Sequence, residues 1–278
     1  MTEPGRGRAA DAAFLRGLGR AAGGAIIFAL PLLMTMEMWH LGFYVDRLRL
    51  ALLLVVVVPL LVGLSHYIGF EETFGWRDDL VDAFVALAVG ALASAAVLAL
   101  LGVLRAGMSL DELVGKVALQ AVPASVGALL AQSQLGTAQG PRARARRPTR
   151  YAGELFFMAV GALFLSLNLA VTEEIVIIAY RLTDRHVLAL VAVSLGLMHA
   201  FVYAVEFRGQ AAVPTGTPWW SPFLRFTVAG YAIVLLIGAY TLWTVGRLDG
   251  LAPEQALRAV LVLGFPGAVG AAAARLIL

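Results

Sequence analysis

Two glutamates stand side by side in the stretch NLAVTEEIVIIAYRL, residues 168–182, within a long apolar run. Glu173 and Glu174 follow Asn168 and Thr172. In LPLLMTMEMW, 137 residues earlier, Thr35 and Glu37 hold the same relation as Thr172 and Glu174. A charge at bilayer depth costs from about 2.5 to more than 10 kcal/mol, depending on how it is measured. Such residues either find a structural partner or line an ion path. Carboxylates joined by hydroxyl and amide oxygens make an oxygen-only donor set, which suits hard cations such as Ca²⁺, Mg²⁺, Na⁺ or a proton. The pattern therefore points to an ion site. Glu37 and Glu174 would be its selecting, metal-binding carboxylates, Glu173 an auxiliary charge, and Thr35, Thr172 and Asn168 its neutral oxygens. Two carboxylates at one depth repel, so at least one is expected to carry a raised pKa. The competing reading keeps both glutamates structural, paired with His40, Arg47 or Arg185.

A second group could gate such a path. Pro31 lies six residues before Glu37 and frees the carbonyl of Ile27, which permits a kink. His66 and His199 lie toward the inner ends of their runs. With Tyr203 one turn on and Glu206 beyond it, His199 could form a proton relay or inner gate. A lone buried histidine held by a neighbouring helix is the simpler alternative.

The elements that must position these residues follow from composition. The 278-residue chain is 60% hydrophobic and 14% charged, with a mean hydropathy of +0.85. Soluble domains are nearer one quarter charged, so the chain reads as an all-α polytopic integral membrane protein. Its apolar runs are continuous rather than alternating, which argues against a β-barrel. With no cysteine, disulfides, thiolate metal sites and cysteine nucleophiles are excluded. Runs of about 20 residues or more, the length that crosses a bilayer, fall at 21–45, 48–70, 80–104, 111–132, 153–180, 186–207, 221–246 and 254–277. The first is too long for a signal-peptide core. The fourth is the weakest, because Asp111, Glu112, Lys116 and Gln120 crowd its start.

Arginine asymmetry sets the orientation. Arg6, Arg8, Arg16 and Arg20 at the N-terminus, and Arg142, Arg144, Arg146, Arg147 and Arg150 in one loop, both belong in the cytoplasm. An even number of spans lies between them, so the two signals agree, and the VDR and TDR hairpins at 45–47 and 183–185 face outward. The net charge of +3 thus reports orientation and gives no reason to expect a nucleic-acid partner. No phosphate-binding loop is present, so ATP cannot drive the chain directly, and nothing calls for a cofactor. The expected partners are the lipid bilayer and an inorganic cation. A homo-oligomer is compatible with the sequence.

The chain also matches itself. At an offset of 137, GAIIFALPLLMTMEMW (24–39) lies over GALFLSLNLAVTEEIV (161–176). At an offset of 143, PASVGALLA (123–131) lies over PGAVGAAAA (266–274). The expected organisation is a cytoplasmic N-terminal segment (1–20), a first four-span repeat (21–132), an arginine-rich linker (133–151) and a second four-span repeat (152–278). Repeats with an even span count insert in parallel, related by a pseudo-twofold axis along the membrane normal. Spans one and five would face each other across it. Glu37, sixteen residues into its run, is then expected about 24 Å from the inner edge.

At LPLLMTMEMWHLGF, TEEIVIIAY and SLGLMHAFVYAVEF the sequence resembles a family of uncharacterised bacterial integral membrane proteins with PLLxTMExW and TEEI signatures. The resemblance covers most of residues 20–278. It implies a multi-pass protein of the bacterial plasma (inner) membrane and brings no substrate.

The function expected is a cation-conducting channel or cation transporter, not an enzyme, with both termini cytoplasmic. Two alternatives stand beside it. An intramembrane metalloprotease similar to the CAAX-processing family would need EExxxR, but Ile178 stands where arginine belongs. The partner motifs FxxxH and HxxxN are missing as well, since His199 is followed four residues on by Tyr203, and HExxH is absent. A non-transporting scaffold or lipid-binding protein would instead hold each glutamate on a neighbouring helix.

Overall fold

The computed structural model describes residues 4–68, 76–135, 151–203 and 220–277. Among these, every regular element is helical. In lipid no water satisfies a peptide group, so a continuous apolar run must close its own hydrogen bonds as a helix. Helix α1 is Pro4–Leu33, α2 Met36–Tyr44, α3 Arg47–Ile68, α4 Trp76–Leu100 and α5 Leu110–Leu135. Then come α6 (Tyr151–Ala170), α7 (Glu174–Arg181), α8 (Asp184–Tyr203) and the short α9 (Trp220–Pro222). A π-helical turn, Phe223–Val228, leads into α10 (Ala229–Thr244), and α11 is Pro253–Ile277.

Among the described residues, eight stretches are long and apolar enough to cross a membrane, in agreement with the sequence reading. Two of them end earlier than expected. The first is Leu15–Leu33 and the fifth Tyr151–Ala170, not 21–45 and 153–180. Nineteen helical residues rise about 28 Å, close to the thickness of a hydrocarbon core. The helices that carry the first and fifth candidate spans thus end at Leu33 and Ala170, before Glu37 and before Glu173 and Glu174. All three glutamates follow a helix break. Pro31 lies in the last turn of α1, not at the middle of a span, so a mid-span kink is not what it produces.

The chain divides into two compact units, Met1–Ala138 and Gln139–Leu278. In the first, α5 is the hub against which α1, α2, α3 and α4 pack. Its span is 78% buried, although it is among the less apolar. Lys116 and Gln120, which weaken it as a lipid-facing helix, are buried inside the unit. In the second unit α11 takes the same part against α6, α7, α8 and α10. Span six, Asp184–Phe201, is only 11% buried.

Each hub crosses the first span of its unit on glycines. A Cβ on Gly24 would meet the Gly127 carbonyl oxygen at 2.6 Å, and one on Gly127 would meet Phe28 Cβ at 2.5 Å. In the second unit a Cβ on Gly161 would strike Gly270 and meet Ala274 Cβ at 2.6 Å, while one on Gly270 would strike Gly161 and approach Leu165 at 3.1 Å. Small residues permit this close backbone approach, where contact rather than water exclusion drives association in lipid. The connections before the hubs also turn alike, on left-handed glycines: Gly102 (φ 70°) and Gly107 (91°), then Gly246 and Gly250 (76° each).

The arginine-rich loop, with Arg142, Arg144, Arg146, Arg147 and Arg150, lies outside the described residues, as does Glu206. Tyr203 closes α8, but its side chain is also outside them.

Candidate functional site at two helix interruptions

At the first interruption α1 stops at Leu33, and Thr35 turns extended (φ −95°, ψ 118°) before α2 begins. A helix end leaves carbonyls without intrahelical donors, and here local groups supply them. The Thr35 hydroxyl donates to Pro31 O, the Thr35 N–H to Leu32 O, and Trp39 Nε1 to Leu33 O at 2.8 Å. From the hub, Gln120 Nε2 donates to Leu32 O at 3.0 Å. That bond orients the amide, because a carbonyl can only accept. Gln120 is 1% exposed, and its Oε1 has no partner. Glu37 occupies the first turn of α2, half-buried. Among the described residues its carboxylate makes no hydrogen bond or ion pair.

Helix α2 is seated on the hub at Gly42, where a Cβ would meet Lys116 Cα at 2.6 Å. Arg47 locks its far end by donating to Gly42 O (3.3 Å) and Phe43 O (3.4 Å) and facing Asp111 at 3.6 Å. Lys116, one turn before Gln120, is buried but balanced by Glu112 at 2.6 Å.

At the second interruption α6 ends at Ala170 and α7 begins at Glu174. Asn168 Nδ2 donates to Phe164 O at 2.7 Å. The Thr172 hydroxyl has both Leu169 O, at 3.0 Å, and the Glu174 carboxylate within reach. Arg247, from the connection before the hub, donates through Nε (3.2 Å) and Nη2 to Val171 O. Its Nη1 reaches Glu173 Oε1 at 3.4 Å. The Glu174 carboxyl is held below its ordinary pKa by a backbone N–H, then by the Thr172 hydroxyl, with Arg247 adding attraction. Glu174 is therefore not the carboxylate expected to carry a raised pKa. The carboxylate is exposed, supported by donors and charged at neutral pH. A second guanidinium, Arg258, fastens the end of α7 to the hub through Leu182 O, Asp184 and Glu254, each at 2.6–2.8 Å.

The histidines do not join these sites. Each sits near the opposite end of its unit's second span and reaches the third. His66 Nδ1 lies 3.0 Å from Asp79 Oδ2, beside a Ser65–Asp82 hydrogen bond of 3.0 Å. His199 Nδ1 lies 3.1 Å from Thr227 Oγ1 in the π-helical turn and packs edge-on against Phe223. Near that turn the second unit buries Glu154 of α6 paired with Arg275 of α11. The Arg275 guanidinium stands 5.2 Å from the centre of the Phe226 ring.

Sequence reasoning missed Gln120, Arg247, Asp79, Glu154 and Arg275 as site or network members. Glu154 and Arg275 stand 121 residues apart at the ends of their runs, where a charge reads as flanking residue. Gln120 was visible only as a weakness of span four. Among the described residues no group of three or more His, Asp or Glu is arranged to hold a metal ion, so any cation at either interruption must draw ligands from carbonyl, amide and hydroxyl oxygens as well.

No curated protein and no solved structure matches the chain. A family description, "Putative integral membrane protein (DUF2391)", matches residues 17–278. With this match over nearly its whole length and eight candidate spans among its described residues, the chain belongs to this family of integral membrane proteins.

Proposed function

We propose that the protein is a cation-conducting channel or cation carrier of the bacterial plasma membrane, with a non-enzymatic role. One observation carries this reading: each unit breaks off its first spanning helix a few residues before a glutamate and restarts it as a short second helix. Discontinuous helices are where membrane transporters expose backbone and side-chain oxygens to ions. The recurrence of the glycine crossings at the offsets 137 and 143 supports a duplicated four-span repeat, in which an even span count gives both halves one orientation. Both termini are then cytoplasmic and both interruptions face outward. Cysteines placed at Arg47 and Arg185 are labelled from outside intact cells and one at Arg144 is not; the reverse pattern would overturn the orientation.

Cation flux into proteoliposomes under an imposed membrane potential tests the function. Glu37→Gln is expected to lower flux at least about tenfold, the equivalent of roughly 1.4 kcal/mol, and Glu174→Gln to alter it less. External acidification should lower wild-type flux, although the Glu174 carboxyl is held below its ordinary pKa by its donors. Flux indifferent to both substitutions and to pH would remove the carboxylates from the mechanism. The non-transporting alternative draws on Arg247, which already engages Val171 O and Glu173.

A further inference from the structure

The geometry points to a division of labour between the two interruptions. The second is occupied by the chain's own cation, the Arg247 guanidinium, and the exchangeable cation belongs to the first, held by Glu37 with Gln120 Oε1 as a neutral ligand. This rests on the cation reading above and narrows it to one ion per chain.

Arg247 does at the second interruption what a bound cation would do. It collects the carbonyl of Val171 through two N–H groups and the carboxylate of Glu173 through a third. It also draws the Glu174 carboxyl downward in pKa, behind the backbone N–H and the Thr172 hydroxyl. A guanidinium needs no exchange to satisfy these oxygens, because it is tethered to the connection that follows α10.

The first interruption lacks that tether. At the offset that aligns the hubs, Arg247 corresponds to Leu104. The neighbouring Arg105 turns its Nε back to Gly102 O at 2.9 Å, inside its own hairpin. What the first interruption has instead is an oxygen. Gln120 corresponds to Leu263 in the second unit; its Nε2 is committed to Leu32 O, and its Oε1 is left buried without a donor. A buried carbonyl oxygen without a partner is costly, and a hard cation is a partner that an amide oxygen accepts. The cationic groups around it do not fill the place: Lys116 is bound to Glu112 and Arg47 to the far end of α2. Glu37 supplies the charge that a neutral amide lacks, and it has no partner of its own among the described residues.

Equilibrium binding of radioactive calcium, with sodium in a parallel arm, to the full-length protein in lipid nanodiscs tests the assignment. Wild type is expected to bind one ion per chain. Glu37→Gln should weaken that site at least tenfold, and Gln120→Leu should weaken it by less. Arg247→Gln should raise the count to two, Arg247→Lys should leave it at one, and Arg247→Gln with Glu174→Gln should return it to one. Two ions per wild-type chain, a count unchanged by Arg247→Gln in folded protein, or binding indifferent to Glu37→Gln would each overturn the division while leaving the cation reading in place. Should Arg247→Gln fail to fold, the wild-type count and the Glu37→Gln arm decide the question between them. No binding of either ion in any variant would overturn the cation reading itself.

Discussion

Arg275→Met alone is expected to destabilise the protein by about 3–5 kcal/mol, whereas Glu154→Leu with Arg275→Met should leave it near wild-type stability. Both side chains are more than nine-tenths buried, Arg275 at 7% and Glu154 at 6% exposure. Removing one partner strands the other charge in a medium that solvates it poorly. Each already has one atom without a partner, Glu154 Oε1 and Arg275 Nη1, so no nearby donor or acceptor stands ready to compensate. The pair joins α6 to the hub α11 at the end opposite the interruption. The Phe226 ring against the guanidinium adds a cation–π contact, worth about 0.5–2 kcal/mol, which is lost with the arginine in both variants. Thermal unfolding in detergent, followed by loss of the monodisperse fraction, measures the ranking. If Arg275→Met alone falls within about 1 kcal/mol of wild type, the pair is not a buried one.

The second large effect concerns the glycine crossings. Gly270→Ala would place its methyl against the backbone of Gly161, and Gly161→Ala against the backbone of Gly270. Backbone cannot rotate aside as a side chain can, so the helices must separate. Each substitution should cost about 1–3 kcal/mol as overpacking, and the double substitution less than the sum, because one displacement relieves both clashes. Gly24→Ala and Gly127→Ala should behave alike in the first unit, where the obstacles are Ala131 and Gly127 O, and Phe28. Gly23→Ala is the control. It lies one residue from Gly24 and has nothing within 4 Å of the added carbon, so its effect should stay within about 0.5 kcal/mol. Equal effects at Gly23 and Gly24 would dismiss the crossing as the cause.

How much of this could be read from the residues depends on which physical signal each feature leaves. The spans are legible because water exclusion demands continuous apolar runs, and eight such runs are found. The interruptions are not, because the segments that follow them, MEMWHLGFY and EIVIIAYR, are apolar enough to merge with the preceding span. Pro31 was a partial hint, two residues before the end of α1. The sharper hint was the glutamates themselves, whose cost inside a bilayer argued that the run does not continue through them. The short α2 and α7 are set by tertiary contact with the hubs, through Gly42, Arg47 and Arg258, and pattern within a segment says nothing of that. Gln120, Arg247 and the Glu154–Arg275 pair depend on partners 74 to 121 residues away. A single sequence offers no means of pairing them.

The helix that is central in space is also the last of its unit to be made. Until α5 leaves the ribosome, the glycine face of α1 and the underside of α2 have no surface to close upon, and the same holds for α6 and α7 until α11 appears. The nascent chain must therefore hold three provisional spans in the lipid and admit a fourth whose Lys116 and Gln120 are poorly suited to lipid on their own. Entry of that helix and completion of the core become a single event.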